Sequence, residues 1–567
     1  MNKMTEMLIR NGFVFDPLNG INGERMDIAI KDCKIVENVN EQRAKKIDAT
    51  GLTVMPGGVD IHTHIAGGEV NTGRMIRPED HVKDVVRKTA ITRSGTGYSI
   101  PSTFVTGYRY SKMGYTTVMQ PSMAPLGAKH THEELNDIPL LDKATFPLIG
   151  DWWFVLEYLQ RGDLEGCARH VAWMMETTKG YAIKIVNPGG LESWGFGRNV
   201  HSIDDVVPNF EITPREIMCG LAKVNKMLNL PHTIHLHTNN LGIPGNYATT
   251  LDTMKALESV ATDGKPVGHI THVQFSSFAG DNWGNMKSGA EEISKYINNH
   301  NHMTFDMGQI IFTDTTTMTA DGPFEFTLYQ LSGHKWVNSD VETETSGGII
   351  PMRYKRKSAV NATQWSIGLE LALLVKDPWK MFMTTDHPNA GPFFAYPKIL
   401  AWLSSIKARM ATLKKCHKKA QKKSLLPSID RELSLYELAV VTRAGQAKAL
   451  GLKGKGHLGI GADADVAIYN INPEKLDIAK KYKTARKAFD SAAYTIKDGK
   501  VVVKDGEVVQ NVDGRTIWLD VKTREQLKVD EEMKLKFRQY WTVEYENYPV
   551  YDHYVKVPEA ITVQASI

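Results

Sequence analysis

Short apolar runs recur along this chain, each holding or leading into a residue that can bind a metal or move a proton, and that recurrence limits the fold more than any other feature. The first run is Leu52-Thr53-Val54-Met55-Pro56-Gly57-Gly58-Val59, followed at once by Asp60-Ile61-His62-Thr63-His64. Side chains alternate faces along a strand, so His62 and His64 project the same way and can grip one metal side by side. Later runs are Ile183-Lys184-Ile185, Ile234-His235-Leu236-His237, Ile270-Thr271-His272 and Met383-Thr384-Thr385-Asp386. Several strand ends converging on one point is the geometry of a barrel, whose C-terminal mouth gathers side chains from many strands.

The spacing between runs supports that geometry. Over residues 62–380 apolar strands are separated by helix-length segments, the pattern of a parallel α/β arrangement. Strands are expected near 59–62, 116–120, 147–150, 182–186, 233–237, 269–273, 303–307 and 381–385, enough for a TIM-type (β/α)8 barrel of the α/β class. Roughly fifty residues separate the first two strands and over seventy the last two, far beyond the usual loop of ~2–6 residues, so a lid, a channel or a subunit interface is expected there.

Before the barrel, Met7-Leu8-Ile9-Arg10, Phe13-Val14-Phe15, Asp27-Ile28-Ala29-Ile30 and Lys34-Ile35-Val36 alternate with turns, and short strands return in Val466-Ala467-Ile468-Tyr469 and Tyr494-Thr495-Ile496-Lys497. The two chain ends are therefore expected to build one flanking β-sandwich. The expected division is 1–55 and 426–510 for that sandwich, 56–425 for the barrel with its insertions, and 511–567 for an extension that docks to a partner protein. Within the extension a charged helix is expected at about 530–541, followed by an aromatic tail. Residues 401–423 read as one helix ending in the basic run Lys414-Lys415-Cys416-His417-Lys418-Lys419, a solvated helix end or a contact with an acidic partner.

Composition excludes several classes. A net charge of +4 on 567 residues asks for neither nucleic acid nor a membrane surface, and no run approaches the ~20 apolar residues of a membrane span. Cys33, Cys167, Cys219 and Cys416 are too scattered for a disulfide framework or a Cys-x-x-Cys site, and the N-terminus lacks the apolar core of a signal peptide. A cytoplasmic protein with reduced thiols is expected.

The converging residues suit metal-assisted hydrolysis. Neutral lysine is a poor ligand, but its amine reacts with CO2 to give a carbamate with two oxygens and a negative charge. A carboxylated Lys184 can bridge two divalent ions, with His62, His64 and Asp386 on one and His237 and His272 on the other; the set suits zinc. Two such ions ~3.5–4 Å apart activate water and polarise a carbonyl, so amide hydrolysis or its reversal follows, with Asp386 also carrying the proton. His237 is preferred to His235 because it lies nearer the strand's end. His272 is preferred to His269, which is expected to face the other way. The alternatives are a salt-bridged Lys184 and buried imidazoles with no metal.

Val59-Asp60-Ile61-His62-Thr63-His64, the central lysine, the later histidines, the late aspartate and the flanking β unit together resemble the amidohydrolase superfamily. More narrowly, Ile65-Ala66-Gly67-Gly68, Lys184-Ile185-Val186-Asn187-Pro188-Gly189-Gly190, His235-Leu236-His237-Thr238-Asn239-Asn240-Leu241-Gly242 and Thr385-Asp386-His387-Pro388-Asn389-Ala390-Gly391-Pro392-Phe393 resemble the A-type subunits of formylmethanofuran dehydrogenases, over nearly the whole chain. The resemblance implies a CO2-reducing complex of methanogenesis. In it, a formate-dehydrogenase-like partner with a molybdenum or tungsten pterin and iron–sulfur clusters makes formate, and the A-type subunit condenses formate with the amine of methanofuran at a dinuclear zinc site. This chain has no cysteine-rich cluster motif, in keeping with redox chemistry on a partner. Asn239, Asn240 and His387, beside ligands, and Arg353, in Met352-Arg353-Tyr354-Lys355-Arg356-Lys357, are candidates for orienting substrate; the alternatives are ligand supports and a solvated charge run. Rival readings are the formyl-coenzyme hydrolysing subunit of a methylotroph formyltransferase/hydrolase complex, a hydantoinase- or dihydroorotase-like cyclic amidohydrolase, and a metal-free structural relative.

Overall fold

Eight short parallel strands carry the middle of the computed structural model, which describes residues 6–262, 264–341, 344–523 and 531–567. The segment 1–5, on which the expectation about a signal peptide partly rests, and Asp530, the expected start of the C-terminal helix, lie outside the described residues. The strands are β1 (Gly58–Asp60), β2 (Tyr115–Met123), β3 (Asp142–Pro147), β4 (Lys184–Val186), β5 (Ile234–His237), β6 (Gly268–Ile270), β7 (Met303–Asp306) and β8 (Met381–Phe382). β1, β2 and β3 pair in that order, and so do β4, β5, β6, β7 and β8. Single parallel bridges, Leu148 with Lys184 and Thr63 with His387, join the two groups at both edges.

Helices follow the strands, as the spacing requires, and local sequence sets their starts. The helix after β4, Pro214–Met227, begins at Thr213, whose hydroxyl takes the Glu216 N–H while the Glu216 carboxylate takes the Thr213 N–H. That reciprocal cap, with proline in the first turn, satisfies amides that the helix itself leaves bare. Ile217, Met218, Leu221 and Val224 then fall on one buried face against the barrel.

Two elements differ from the sequence reading. β3 begins at Asp142, several residues before the expected 147–150, and this polar start is buried: the Asp142 carboxylate is held by Lys455, Lys497 at 3.1 Å and Arg515 at 2.7 Å. Burial opposes that charge, but the three cations hold it well below the usual carboxylate range. The stretch 401–423 is not one helix. Ser405 is extended and caps Ile406–Leu413 through the Ala408 N–H, and His417 caps Lys418–Lys423, so the chain makes three helices counting Tyr396–Ser404.

Both chain ends meet in one nine-stranded sheet, joined where Thr53–Pro56 runs antiparallel to Val466–Tyr469. Ile9, Val14, Ile30, Val54, Val466 and Ile496 give it an apolar core separate from the barrel's. The C-terminal extension returns to the barrel: Thr516–Lys522 pairs with Pro558–Gln564, and Thr516 pairs with Lys143 in β3. Trp541 packs on Trp153, Phe537 on Phe154 and Tyr545 on Trp173, while Tyr540 and Tyr551 of the same extension stay exposed. Between β7 and β8 the long insertion forms an antiparallel sheet, with Asp314–Thr319 and Val337–Val341 on either side of Glu344–Arg353. Thr317 and Thr319 from this sheet, with Ala320, Phe324 and Tyr354 beside it, roof the barrel mouth.

Candidate metal centre

His62 and His64 lie just past β1, where Asp60 braces the turn. Its buried carboxyl takes the His62 N–H at 3.2 Å, the Tyr110 hydroxyl at 2.7 Å and the Tyr396 hydroxyl. Burial pushes its pKa up to about 7, and those three donors pull against the rise. Lys184 opens β4, directly across from His235 of β5; His237 closes β5. His272 and Asp386 sit past the ends of β6 and β8 in left-handed backbone, with φ of 36° and 47°. Such backbone costs roughly 1–3 kcal/mol per residue and persists where its surroundings hold it. Here Asp306 takes the His272 N–H at 3.0 Å, and Asn389 donates its side-chain N–H to Asp386 at 2.9 Å.

All six side chains, His62, His64, Lys184, His237, His272 and Asp386, line one buried cavity. Asp386 Oδ1 lies 2.9 Å from His62 Nε2 and 3.3 Å from His64 Nε2. The rings of His237 and His272 meet edge to face at 4.8 Å, and His62 and His272 at 5.3 Å. One ligand atom each from His62, His272 and Asp386 falls within a 4.8 Å group. His272 thus stands between the two sets into which the sequence reading divides the ligands.

The donor atoms fit a divalent ion. His62 Nε2, His64 Nδ1 and His272 Nδ1 are buried and make no hydrogen bond among the described residues, an arrangement that is costly unless something accepts their lone pairs. Burial keeps the His62 and His272 rings neutral, well below the usual imidazole range. Burial opposes ionisation of Asp386, but His272, His64 and Asn389 hold its pKa below the usual value. Lys184 is the oddest group. Its amine is buried, makes no hydrogen bond or ion pair among the described residues, and is pushed by burial down to about 8, against the pull of Asp386 and Asp306.

Other expected residues fall elsewhere. His235 is fully buried and hydrogen-bonded at both ring nitrogens. His269 does not face away from the barrel as expected: it stacks on His235 at 4.9 Å and bonds Asp306 at 3.1 Å. The strand ends at Ile270 and the backbone turns left-handed at His272, so strand alternation cannot be counted across that break. Asn239, Asn240, His387 and Arg353 do not line the cavity. Asn239 bonds Asn187 and Pro188, Asn240 bonds His201 and Thr249, His387 takes the Phe393 N–H, and the exposed Arg353 pairs with Asp314 at 2.6 Å. Sequence reasoning missed Asp306 and Asn389. Asp306 ends a strand as the ligands do, and Asn389 follows Asp386 by three residues, so strand-end position was the available signal. A second acidic group, Asp142, Asp463 and Asp465, already surrounds the Lys455 ammonium.

Residues 45–503 match the model of the Amidohydrolase family. Protein FwdA of Methanocaldococcus jannaschii is 53% identical over 572 residues, covering 99% of each chain. The A-type component of the formyltransferase/hydrolase complex Fhc of Methylorubrum extorquens is 36% identical over 528 residues, covering 91% of each. The crystal structure of that complex with methylofuran contains a chain that matches with a TM-score of 0.89 at 32% identity, over 98% of this chain and all of that one. These matches imply a TIM barrel with an additional domain.

Proposed function

The chain belongs to the amidohydrolase family and, within it, to the A-type subunits of formylmethanofuran dehydrogenases, and from that premise we propose that it joins formate to the amine of methanofuran, and splits the resulting formyl amide, at a dinuclear zinc site. The observation that carries this reading is the meeting of His62, His64, Lys184, His237, His272 and Asp386 in one buried cavity, where the Lys184 amine makes no hydrogen bond or ion pair among the described residues. We read the eight parallel strands as a closed barrel and the nine-stranded sheet as the flanking sandwich.

In this reading the lysine amine carries a CO2-derived carboxylate, which removes the cost of a buried unpaired ammonium and supplies a bridging ligand. Two zinc ions held by the six side chains would supply Lewis acidity toward the formyl oxygen and acidify the attacking water. The chain's own groups do the rest. Asp386, ionised at neutral pH, takes the proton of the water that attacks the formyl carbon and hands it to the departing amine nitrogen; in synthesis the same proton returns to the leaving hydroxide. Asn389 keeps the carboxylate aimed by its 2.9 Å hydrogen bond. Thr317, Thr319, Phe324 and Tyr354 close the roof and limit bulk water.

The partners in this reading are the other subunits of a formylmethanofuran dehydrogenase in the cytoplasm, including a formate-dehydrogenase-like subunit with a molybdenum or tungsten pterin and iron–sulfur clusters. The likeness to one chain of a solved complex with methylofuran supports an assembly of that kind. Among the described residues no helix is long and apolar enough to cross a membrane. The test is to purify the chain from its native source, identify what accompanies it, and follow formate release from formylmethanofuran. Release together with co-purifying subunits is the expected result; no release from zinc-loaded protein would reject the proposal.

A further inference from the structure

Three buried imidazoles run in single file from the floor of the barrel to the cavity. The Ala449 carbonyl oxygen lies 2.7 Å from His232 Nδ1, His232 Nε2 lies 3.0 Å from His235 Nδ1, and His235 Nε2 lies 2.9 Å from His62 Nδ1. All three residues are 0% exposed. Strand alternation explains the layering: His235 shares the inner face of β5 with His237 and lies one layer deeper, beneath the candidate ligands.

Hydrogen-bond direction along this file is fixed from one end. A carbonyl oxygen only accepts, so His232 Nδ1 carries the hydrogen. A neutral ring carries only one, which leaves His232 Nε2 bare and obliges His235 Nδ1 to donate. His235 Nε2 is then bare, and His62 Nδ1 must donate to it. His62 Nε2, which faces the cavity 2.9 Å from Asp386 Oδ1 but makes no hydrogen bond among the described residues, is left with its lone pair beside that carboxylate, an arrangement that a cation shared by the two would satisfy. A charged ring in this file would have to sit in a dry interior, with the edge of Phe146 against His235 at 5.0 Å. The other polar neighbour of His62 Nδ1, Asp306 Oδ2 at 3.6 Å, is also an acceptor, so it favours a hydrogen at the same place. That carboxylate is otherwise engaged with His269 at 3.1 Å and with the His272 N–H at 3.0 Å.

We propose that His232 and His235 are positioning residues that set the tautomer of His62, with the Ala449 carbonyl as the fixed reference, and so commit His62 Nε2 to a divalent ion. Metal-binding histidines commonly rest their second nitrogen on a carbonyl or carboxylate. In this chain the carbonyl is reached through two further rings. The inference rests on His62 being a ligand, the reading given under the proposed function.

The test uses the full chain labelled with 15N-histidine, and the variants His235→Phe, His235→Gln and His232→Phe. Long-range 15N–1H spectra of the metal-free chain report which nitrogen of each ring carries hydrogen. His62 is expected as the Nδ1–H form, assigned by the signal lost in His62→Ala. Zinc affinity is measured separately by chelator competition. His235→Phe should weaken it about 10- to 100-fold, the usual cost of removing a support behind a metal ligand. His235→Gln, whose amide can accept from His62 and donate to His232, should restore most of that loss. A purely packing role would be served better by phenylalanine than by glutamine, so the order of the two variants separates the explanations. His232→Phe should let His235, and with it His62, populate both tautomers. Unchanged zinc affinity in His235→Phe, or His62 found with a bare Nδ1, overturns the proposal. If instead His62→Ala binds zinc as well as the parent chain, the ligand reading itself has failed.

Discussion

The buried amine of Lys184 sets a pH and CO2 dependence for assembly of the proposed centre. CO2 reacts only with the free amine, and burial has moved this amine from 10.5 to about 8. At pH 7 about one chain in ten then has a reactive amine, against about one in 3,000 for an ordinary lysine, an advantage of roughly 300-fold that corresponds to about 3 kcal/mol. The sign follows from the direction of the shift: the free amine predominates above about 8, and each unit below that leaves tenfold less of it. Metal-free chain, incubated with zinc at a fixed concentration of dissolved CO2, should therefore load about tenfold faster at pH 7 than at pH 6 and reach a plateau above about pH 8. Asp386 and Asp306 hold the amine's pKa up, so Asp386→Asn or Asp306→Asn should shift the break to lower pH. The assay is the rate of zinc uptake, with 13C-labelled CO2 to detect the carbamate. Rapid loading of both ions in CO2-free buffer, or a profile with no break between pH 7 and 9, would refute this reasoning.

Three further outcomes follow from the same geometry. Asp386→Asn should lower kcat by about 10²–10⁴-fold, the usual range for loss of a general acid–base group, while chelator competition still finds most of the zinc. Arg353→Ala should leave KM for formylmethanofuran within about twofold, because its guanidinium is exposed and paired with Asp314 outside the cavity; exposed pairs of this kind contribute little. Tyr396→Phe removes a hydroxyl donor to the buried Asp60 carboxyl and should cost about 1–3 kcal/mol in urea unfolding, since a buried acceptor that loses its partner pays its desolvation penalty.

The candidate ligands were legible because a strand's end is marked twice in sequence, by an apolar run and by the polar residue that closes it. His237 closes its strand in this way, His62 and Asp386 follow theirs by a few residues, and Lys184 is marked by the apolar Ile183 and Ile185 on either side of it. β3 lacks that mark, since its buried Asp142 belongs to an ion cluster whose other members, Lys455, Lys497 and Arg515, come from more than three hundred residues away, and its buried Lys143 donates to the Ile138 and Gly514 carbonyls. His269 shows a second limit: alternation holds only while the backbone stays extended, and the left-handed turn at His272 was not visible. Asn239, Asn240 and His387 stand near ligands along the chain, and nearness in sequence did not bring them to the cavity. Its roof instead comes from the β7–β8 insertion, whose Thr317, Thr319 and Phe324 carry no motif.

The most direct test of the dinuclear assignment is anomalous diffraction at the zinc edge from the chain purified with its native partners. Two peaks about 3.5–4 Å apart are expected, bridged by density extending from Lys184 Nζ and flanked by His62, His64, His237, His272 and Asp386. A single peak, or ions held by other side chains with an unmodified Lys184, would contradict it.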